Sequence, residues 1–171
     1  VGAMIVAGPE GFMKNQYRKF NILNEELSPG DDYGMMVEVL TRRFKRLLKG
    51  NVDHVSGLWP GLVLIDGGRG QLNVAKRVLD DLGLSDVPVA SIAKGPDRNA
   101  GRERLFFSDG SEKRLEPRDP VLYFLQRMRD EAHRFAIGSH RARRSTAIAA
   151  SPSADIPVIV TERQPAVLPR F

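Results

Sequence analysis

Leu62-Val63-Leu64-Ile65-Asp66-Gly67-Gly68-Arg69-Gly70-Gln71-Leu72 is the stretch that decides the fold. Leu62 to Ile65 is a short, unbroken apolar run, the mark of a strand covered on both faces. Asp66-Gly67-Gly68 stops it, and a helix follows whose inner stripe is Leu72, Ala75, Leu79 and Leu82, ended by Gly83. A buried strand passing straight into a helix is the unit of an α/β sheet. An acid at the carboxyl end of such a strand faces the crevice where open α/β sheets bind ligands. The glycines after Asp66 let a phosphate or a metal approach the backbone and leave the helix N-terminus open to anions. A sharp strand-to-helix turn with an N-capping acid reads equally well from the same residues. Two other glycine-rich readings fail. A dinucleotide fingerprint starting at Gly68 needs a third glycine where Asn73 stands, and no Gly-Lys-Ser/Thr follows to make a P-loop.

Working outward from that unit, Val1 to Ala7 and Gln16 to Leu23 flank the turn Gly8-Pro9-Glu10-Gly11 and predict a β-hairpin. Ser28-Pro29-Gly30-Asp31 then opens a helix over about 32–49, with Met36, Val39, Leu40, Phe44 and Leu47 on its buried face. Residues 51–60 read as a loop, Val87 to Ala93 as a strand, Lys94 to Arg102 as a basic loop and Arg104 to Phe107 as a short strand. The longest helix is expected over about 120–143, with Val121, Leu125, Met128, Ala132 and Phe135 along one face. His133 lies beside that stripe, near Gln126, Arg129 and His140. That edge position suits a crevice contact, although a lone helix histidine is more often a surface or structural group. Strand–helix alternation after an opening hairpin makes the chain α/β with a mixed sheet flanked by helices.

Composition narrows the class. In 171 residues there are 26 Lys and Arg against 21 Asp and Glu, for a net charge of +5, and no cysteine. Disulfides and thiolate metal sites are therefore excluded. Of the basic residues 7 are Lys and 19 are Arg, and arginine's planar fork suits bidentate phosphate contacts. Basic residues gather at 42–49, 94–104 and 141–144. Arg42, Arg43, Arg46, Arg69, Lys94, Arg129, Arg141, Arg143 and Arg144 are the candidate backbone contacts of a nucleic acid, supplying affinity without reading sequence. Asp31 and Asp32 suit the positive end of the helix they open. Asp32 is equally a second acid for a site.

Four blocks stand in order with suitable spacing: Tyr17-Arg18-Lys19-Phe20-Asn21-Ile22; Gly30-Asp31-Asp32-Tyr33; Leu64 through Leu72; and Gln126-Arg127-Met128-Arg129-Asp130-Glu131-Ala132-His133-Arg134-Phe135. Together they resemble the endonuclease domain of the bacterial UvrC excinuclease family, over about residues 1–148. The resemblance implies an RNase H-like fold and a part in nucleotide excision repair. It further implies the 5′ incision beside a bulky lesion in duplex DNA, excinuclease A and B subunits as partners, Mg2+ or Mn2+ as the assisting ion, and a cytoplasmic setting. By position, Asp66 matches a metal-site aspartate, His133 the histidine of the catalytic set and Asp32 a further acid. Arg69 replaces a more usual lysine.

Two departures from the family pattern carry expectations of their own. The family's first catalytic aspartate lies in an Asp-x-Ser-His-like block on the strand before the one matched by Val1 to Gly8. The sequence begins after that block, so a missing first central strand and impaired incision are expected. Asp155-Ile156-Pro157-Val158-Ile159-Val160 has valines where a helix-hairpin-helix motif would place glycines. The expected organisation is a nuclease domain over 1–144, a linker over 145–154 and a degenerate hairpin remnant, irregular in structure, over 155–171. The alternatives are a non-catalytic relic that binds DNA or a repair partner and, more distantly, a phosphate- or nucleotide-binding module using Gly67 to Gly70.

Overall fold

In a computed structural model of the chain, residues 2–8, 10–28, 30–50, 60–95, 102–144 and 156–162 are described, with side chains as far as Gly138. The strands are β1 (Gly2–Gly8), β2 (Gly11–Phe12), β3 (Arg18–Phe20), β4 (Pro60–Asp66), β5 (Val89–Ala93), β6 (Arg104–Phe107), β7 (Glu112–Arg114) and β8 (Ile156–Glu162). The helices are α1 (Asp32–Gly50), α2 (Arg69–Asp81) and α3 (Pro120–Arg144). One mixed sheet runs β2-β1-β8-β4-β5-β6-β7, with β3 also paired to β1. The predicted α/β class and mixed sheet stand.

The period-2 alternation of the central strands sorts their side chains into two cores. Met4, Val6, Val63 and Ile65 pack with Met36, Val39, Leu40 and Phe44 of α1 and with Leu72, Ala75 and Leu79 of α2. Ile5, Ala7, Leu64, Ala90 and Ile92 pack on the opposite face with Leu122, Leu125, Met128 and Ala132 of α3. Helices therefore cover both sides of the sheet, and β1 and the part of β4 before Asp66 are apolar because both faces are covered. Each fully buried Leu, Ile or Phe contributes about 1.5–3 kcal/mol of transfer free energy. Asp66 follows Leu64 by two residues, so it shares the α3 face.

The opening hairpin forms in two pieces. Ala7 pairs with Phe12 and Gly8 with Gly11, and after a 3-10 turn over Lys14–Gln16 the chain returns to pair Phe20 with Gly2 and Arg18 with Met4. The return strand is shorter than the predicted 16–23, since Asn21 onward leaves the sheet. Helix α1 matches its expected span, and all five predicted inner residues are buried. In α3 the stripe begins at Leu122, 1% exposed, rather than at Val121, 54% exposed. Val121 and Leu122 are neighbours in the first turn, and the roughly 100° of helix rotation between them turns one to solvent and the other to the core.

The tail expectation is corrected over Ile156–Glu162, which is a strand rather than irregular chain. It lies between β1 and β4, parallel to the first (Ile5 opposite Ile159) and antiparallel to the second (Leu64 opposite Ile159). Valine and isoleucine, which disfavour a hairpin turn at glycine positions, are strong strand formers. The proposed linker 145–154 and the remainder of the tail lie outside the described residues.

Candidate active site at the tip of the fourth strand

Asp66 is the last residue of β4, and three ties fix the turn that follows. Gly67 N–H donates to Ile92 O at 3.0 Å. The Ser91 hydroxyl, fully buried, donates to Gly68 O at 3.3 Å. Gly68 N–H donates to the Gln71 side-chain oxygen at 3.0 Å, so Gln71 reaches back to cap α2. Glycine is required where Gln71 folds back, because a Cβ on Gly67 would stand 2.8 Å from Gln71 Cγ. At Gly70 a Cβ would run into the Tyr33 hydroxyl, so the start of α1 packs directly on the first turn of α2. Both strand-end ties run to β5, which pairs in parallel with β4.

From the opposite side of the crevice, α3 delivers His133. Its Nε2 lies 2.6 Å from Asp66 Oδ2, with side-chain exposures of 50% and 19%. With Asp66 ionised, Nε2–H donates to the carboxylate, which fixes the tautomer and the ring orientation. The strand-tip acid and the helix-edge histidine named from the sequence are thus in direct contact.

Around this pair α3 is clamped twice. Arg129, one turn before His133, sends Nη2 to Glu103 Oε1 at 3.0 Å, and Gln126 donates to the same oxygen at 3.1 Å. Burial pushes the Glu103 carboxyl up, but hydrogen bonds from Gln126, its own backbone and Arg129 outweigh it and hold it below the ordinary range. On the other side Tyr17 donates to Glu131 at 3.1 Å, and its ring meets Phe135 edge-on at 5.1 Å between centroids. Burial first, then the bond to Glu131, raises the Tyr17 phenol to about 12. Arg134 and Tyr17 hydrogen bonds hold Glu131 low against the opposing effect of its burial, the Arg134 bond being the largest influence. The Lys19 ammonium lies 4.3 Å from the Phe135 ring centroid.

The remaining predicted residues divide. Asp31 accepts from Gly34 N–H at 2.9 Å and acts as a helix cap. Asp32 heads α1 beside Tyr33, and its Oδ1 is buried without a hydrogen-bond partner, an acceptor available to a donor or a cation. It does not join Asp66 and His133: among the described residues no three His, Asp or Glu side chains stand close enough to hold a metal ion. Arg69 is half-exposed but engaged, donating to Gly110 O at 3.0 Å, 3.6 Å from Glu112 and stacked over Phe106. Arg42 is committed to Asn21 O and Glu38, whereas Arg43 is half-buried with its pKa lowered by that burial. Arg46 and Lys94 are exposed. Arg129 is removed from the surface set, because its side chain is only 7% exposed and paired with Glu103. The side chains of Arg141, Arg143 and Arg144 lie outside the described residues.

Glu103 and Tyr17 are the residues that sequence reasoning did not single out. The signal for Glu103 was a lone acid between Arg102 and Arg104 at a strand start. Two residues before Leu105, it must share that residue's α3-facing side of the sheet.

Magnesium is usually held by one or two carboxylates, with waters and substrate phosphate completing its shell. Asp66 supplies a hard oxygen and His133 a nitrogen at an accessible strand tip. The donor chemistry therefore fits the protein's share of such a site, with two groups in contact.

A mixed sheet covered by helices on both faces, with an acid at a central strand tip against a helix histidine, defines a domain of the RNase H-like nuclease class. The family model described as the UvrC RNase H endonuclease domain matches residues 1–137. The chain belongs to that family. It is 62% identical over 171 residues to the UvrABC system protein C of Paramagnetospirillum magneticum, covering 100% of this chain and 27% of that protein. The corresponding protein of Jannaschia sp. is 57% identical over 171 residues, with 100% and 27% covered. That of Rhodopseudomonas palustris is 58% identical over 180 residues, with 100% and 26% covered. The chain thus spans about a quarter of the length of the curated relatives it matches.

Proposed function

We propose that this domain carries the phosphodiester hydrolysis of the 5′ incision at damaged duplex DNA, as part of an excision-repair assembly that includes excinuclease A and B subunits. The observation that carries the reading is the 2.6 Å contact between His133 Nε2 and Asp66 Oδ2 at the tip of β4. Hydrolysis joins a water oxygen to phosphorus and breaks the bond to a sugar oxygen, so a proton must leave the water and another must reach the leaving group. His133, its Nε2–H directed at Asp66 and its ring half-exposed to the crevice, would take the proton of the attacking water at Nδ1 and return it from there to the leaving oxygen. Asp66 orients the imidazole and offers the carboxylate that would hold Mg2+ or Mn2+. When bound, such an ion polarises the phosphate and lowers the pKa of the attacking water. Exposed Arg46 and Lys94, with the half-exposed Arg69, supply positive charge for the DNA backbone. Asp32 is assigned a supporting role as a further acid.

A second reading, a DNA- or partner-binding module without hydrolysis, is favoured by one observation: among the described residues the donor group stops at two. On that count incision by these residues alone is expected to be weak, and a further carboxylate is needed for full rate. A manganese-supplemented nicking assay on a lesion-bearing duplex separates the cases. Metal-dependent 5′ cutting abolished by Asp66→Asn supports the nuclease. Salt-sensitive duplex binding with no cutting supports the binding module. Robust cutting by this chain alone contradicts the expected impairment.

A further inference from the structure

The geometry points to Glu103 as a positioning residue for the Asp66–His133 pair, acting through Arg129. The inference rests on the nuclease reading above and adds to it the device that sets the distance between the two site groups.

Asp66 and His133 belong to different layers, a strand tip and a helix edge, and His133 is half-exposed. Packing of His133 itself therefore cannot fix how closely the two approach. Each group is instead referenced to the β5–β6 hairpin. Asp66 is tied to β5 by Gly67 N–H on Ile92 O and by the Ser91 hydroxyl on Gly68 O. Strand β5 is locked to β6 by the pairs Ile92–Leu105 and Ala93–Arg104. Glu103 is the residue immediately before β6 and is 1% exposed. It grips Arg129 at 3.0 Å and Gln126 at 3.1 Å, two residues on one face of α3. His133 is Arg129 plus four, one helical turn along that helix.

A buried ion pair is a poor device for stability, since desolvating both charges offsets most of their attraction. Its demand for a specific geometry makes it a good device for register. Sliding α3 by part of a turn would leave two charges buried and unpaired, whereas the apolar contacts of Leu125, Met128 and Ala132 would tolerate the shift. The Arg129 Nη1 atom, buried without a partner, marks a guanidinium held for its Glu103 contact rather than for general solvation. The network thus sets the position of His133 along the helix axis, and with it the reach of Nε2 to Asp66.

Two variants in the full chain test this. Glu103→Gln keeps the shape but leaves the Arg129 charge buried. The double variant Glu103→Gln/Arg129→Met removes both charges, so folding is preserved even if the single variant unfolds. Misplacement of a reacting group by about 1 Å lowers rates on the order of 100-fold. The folded double variant is expected to nick 10- to 100-fold more slowly in kcat (about that range), with KM for duplex changed less than about twofold. Its crystal structure should have the Asp66–His133 contact opened beyond hydrogen-bond reach. Wild-type kcat, or an unchanged Asp66–His133 contact, in a folded double variant overturns the proposal. If the wild-type chain nicks too weakly for rates to be compared, as the two-group site allows, the crystallographic comparison alone decides the positioning role, while loss of manganese binding at Asp66 would count against the nuclease reading separately.

Discussion

His133 Nε2 stands 2.6 Å from Asp66 Oδ2 across 67 residues of sequence, closing β4 against α3 on the face of the sheet that Leu64 also points to. Because alternate residues of a strand share a face, the buried position of Leu64 already commits Asp66 to the α3 side. The contact then needs only that α3 present a polar residue at its edge level with the strand tip. Arg129, Ala132 and His133 stand within one turn there, the first two buried and the third turned outward.

Loss of the imidazole removes the proton-carrying group without disturbing either core. His133→Ala is therefore expected to lower the nicking rate about 10²- to 10⁴-fold, with duplex affinity unchanged. Single-turnover nicking and a filter-binding titration on the same preparation measure the two quantities. A parallel fall in affinity would instead make His133 a DNA contact.

The junction of α1 and α2 is tight at one point. Gly70→Ala drives a methyl group into the hydroxyl end of Tyr33, a half-exposed side chain that can swing aside, so the clash and the better helix propensity of alanine should nearly cancel, within about 1 kcal/mol. Truncating the obstacle should leave only the gain: in a Tyr33→Ala background the same change is expected to stabilise by up to about 1 kcal/mol. Urea denaturation of the four proteins of this cycle gives the coupling, and additive effects would mean that the two residues do not meet.

At high pH the Tyr17 latch should fail late. Its folded pKa, about 12, lies above the ordinary 10.0, so the neutral phenol stabilises the folded state. The contribution is fully present below pH 10 and is lost as pH rises towards 12. Tyrosinate absorbance should therefore have a late step near pH 12 that belongs to Tyr17. In Tyr17→Phe that late step should vanish.

Acid acts on the other pair of clamps. Glu103 and Glu131 both have folded pKa values below 4.5, so their ionised forms favour the folded state. That stability is present above the unfolded value and is lost as pH falls through the lowered folded values. Thermal unfolding followed from pH 6 down to about pH 3 should have a drop that is smaller in Glu131→Gln, which no longer takes up the proton. An identical drop in the variant would remove Glu131 from the account.

Much of this architecture was legible in the sequence, for identifiable reasons. Leu62 to Ile65 had no polar residue to suggest an exposed face, so a doubly covered strand ending at Asp66 followed directly. Helix α1 was equally clear, because Met36, Val39, Leu40, Phe44 and Leu47 keep the helical period. His133 was placed correctly at the edge of its stripe. What escaped was tertiary in origin. Arg129 looked like one more cation in a basic helix, and only the fold reveals that Glu103, 26 residues earlier, meets it in the interior. Val121 had the right spacing for the buried stripe, but in the first turn the fold buries its neighbour Leu122 instead. The short strand Glu112–Arg114 is all charged and exposed, so no hydrophobic pattern announced it. The strand over 156–162 is rich in β-branched Ile156, Val158, Ile159, Val160 and Thr161, but Pro157, which cannot donate to a sheet ladder, obscures that signal in the sequence.

The most direct test is paramagnetic. Manganese added to the protein should selectively broaden the imidazole resonances of His133 among the three histidines, and Asp66→Asn should abolish that broadening. Broadening that leaves His133 untouched, or that persists undiminished without the Asp66 carboxylate, would mean that the strand tip and the helix edge do not share a cation, and the nuclease reading would fall with it.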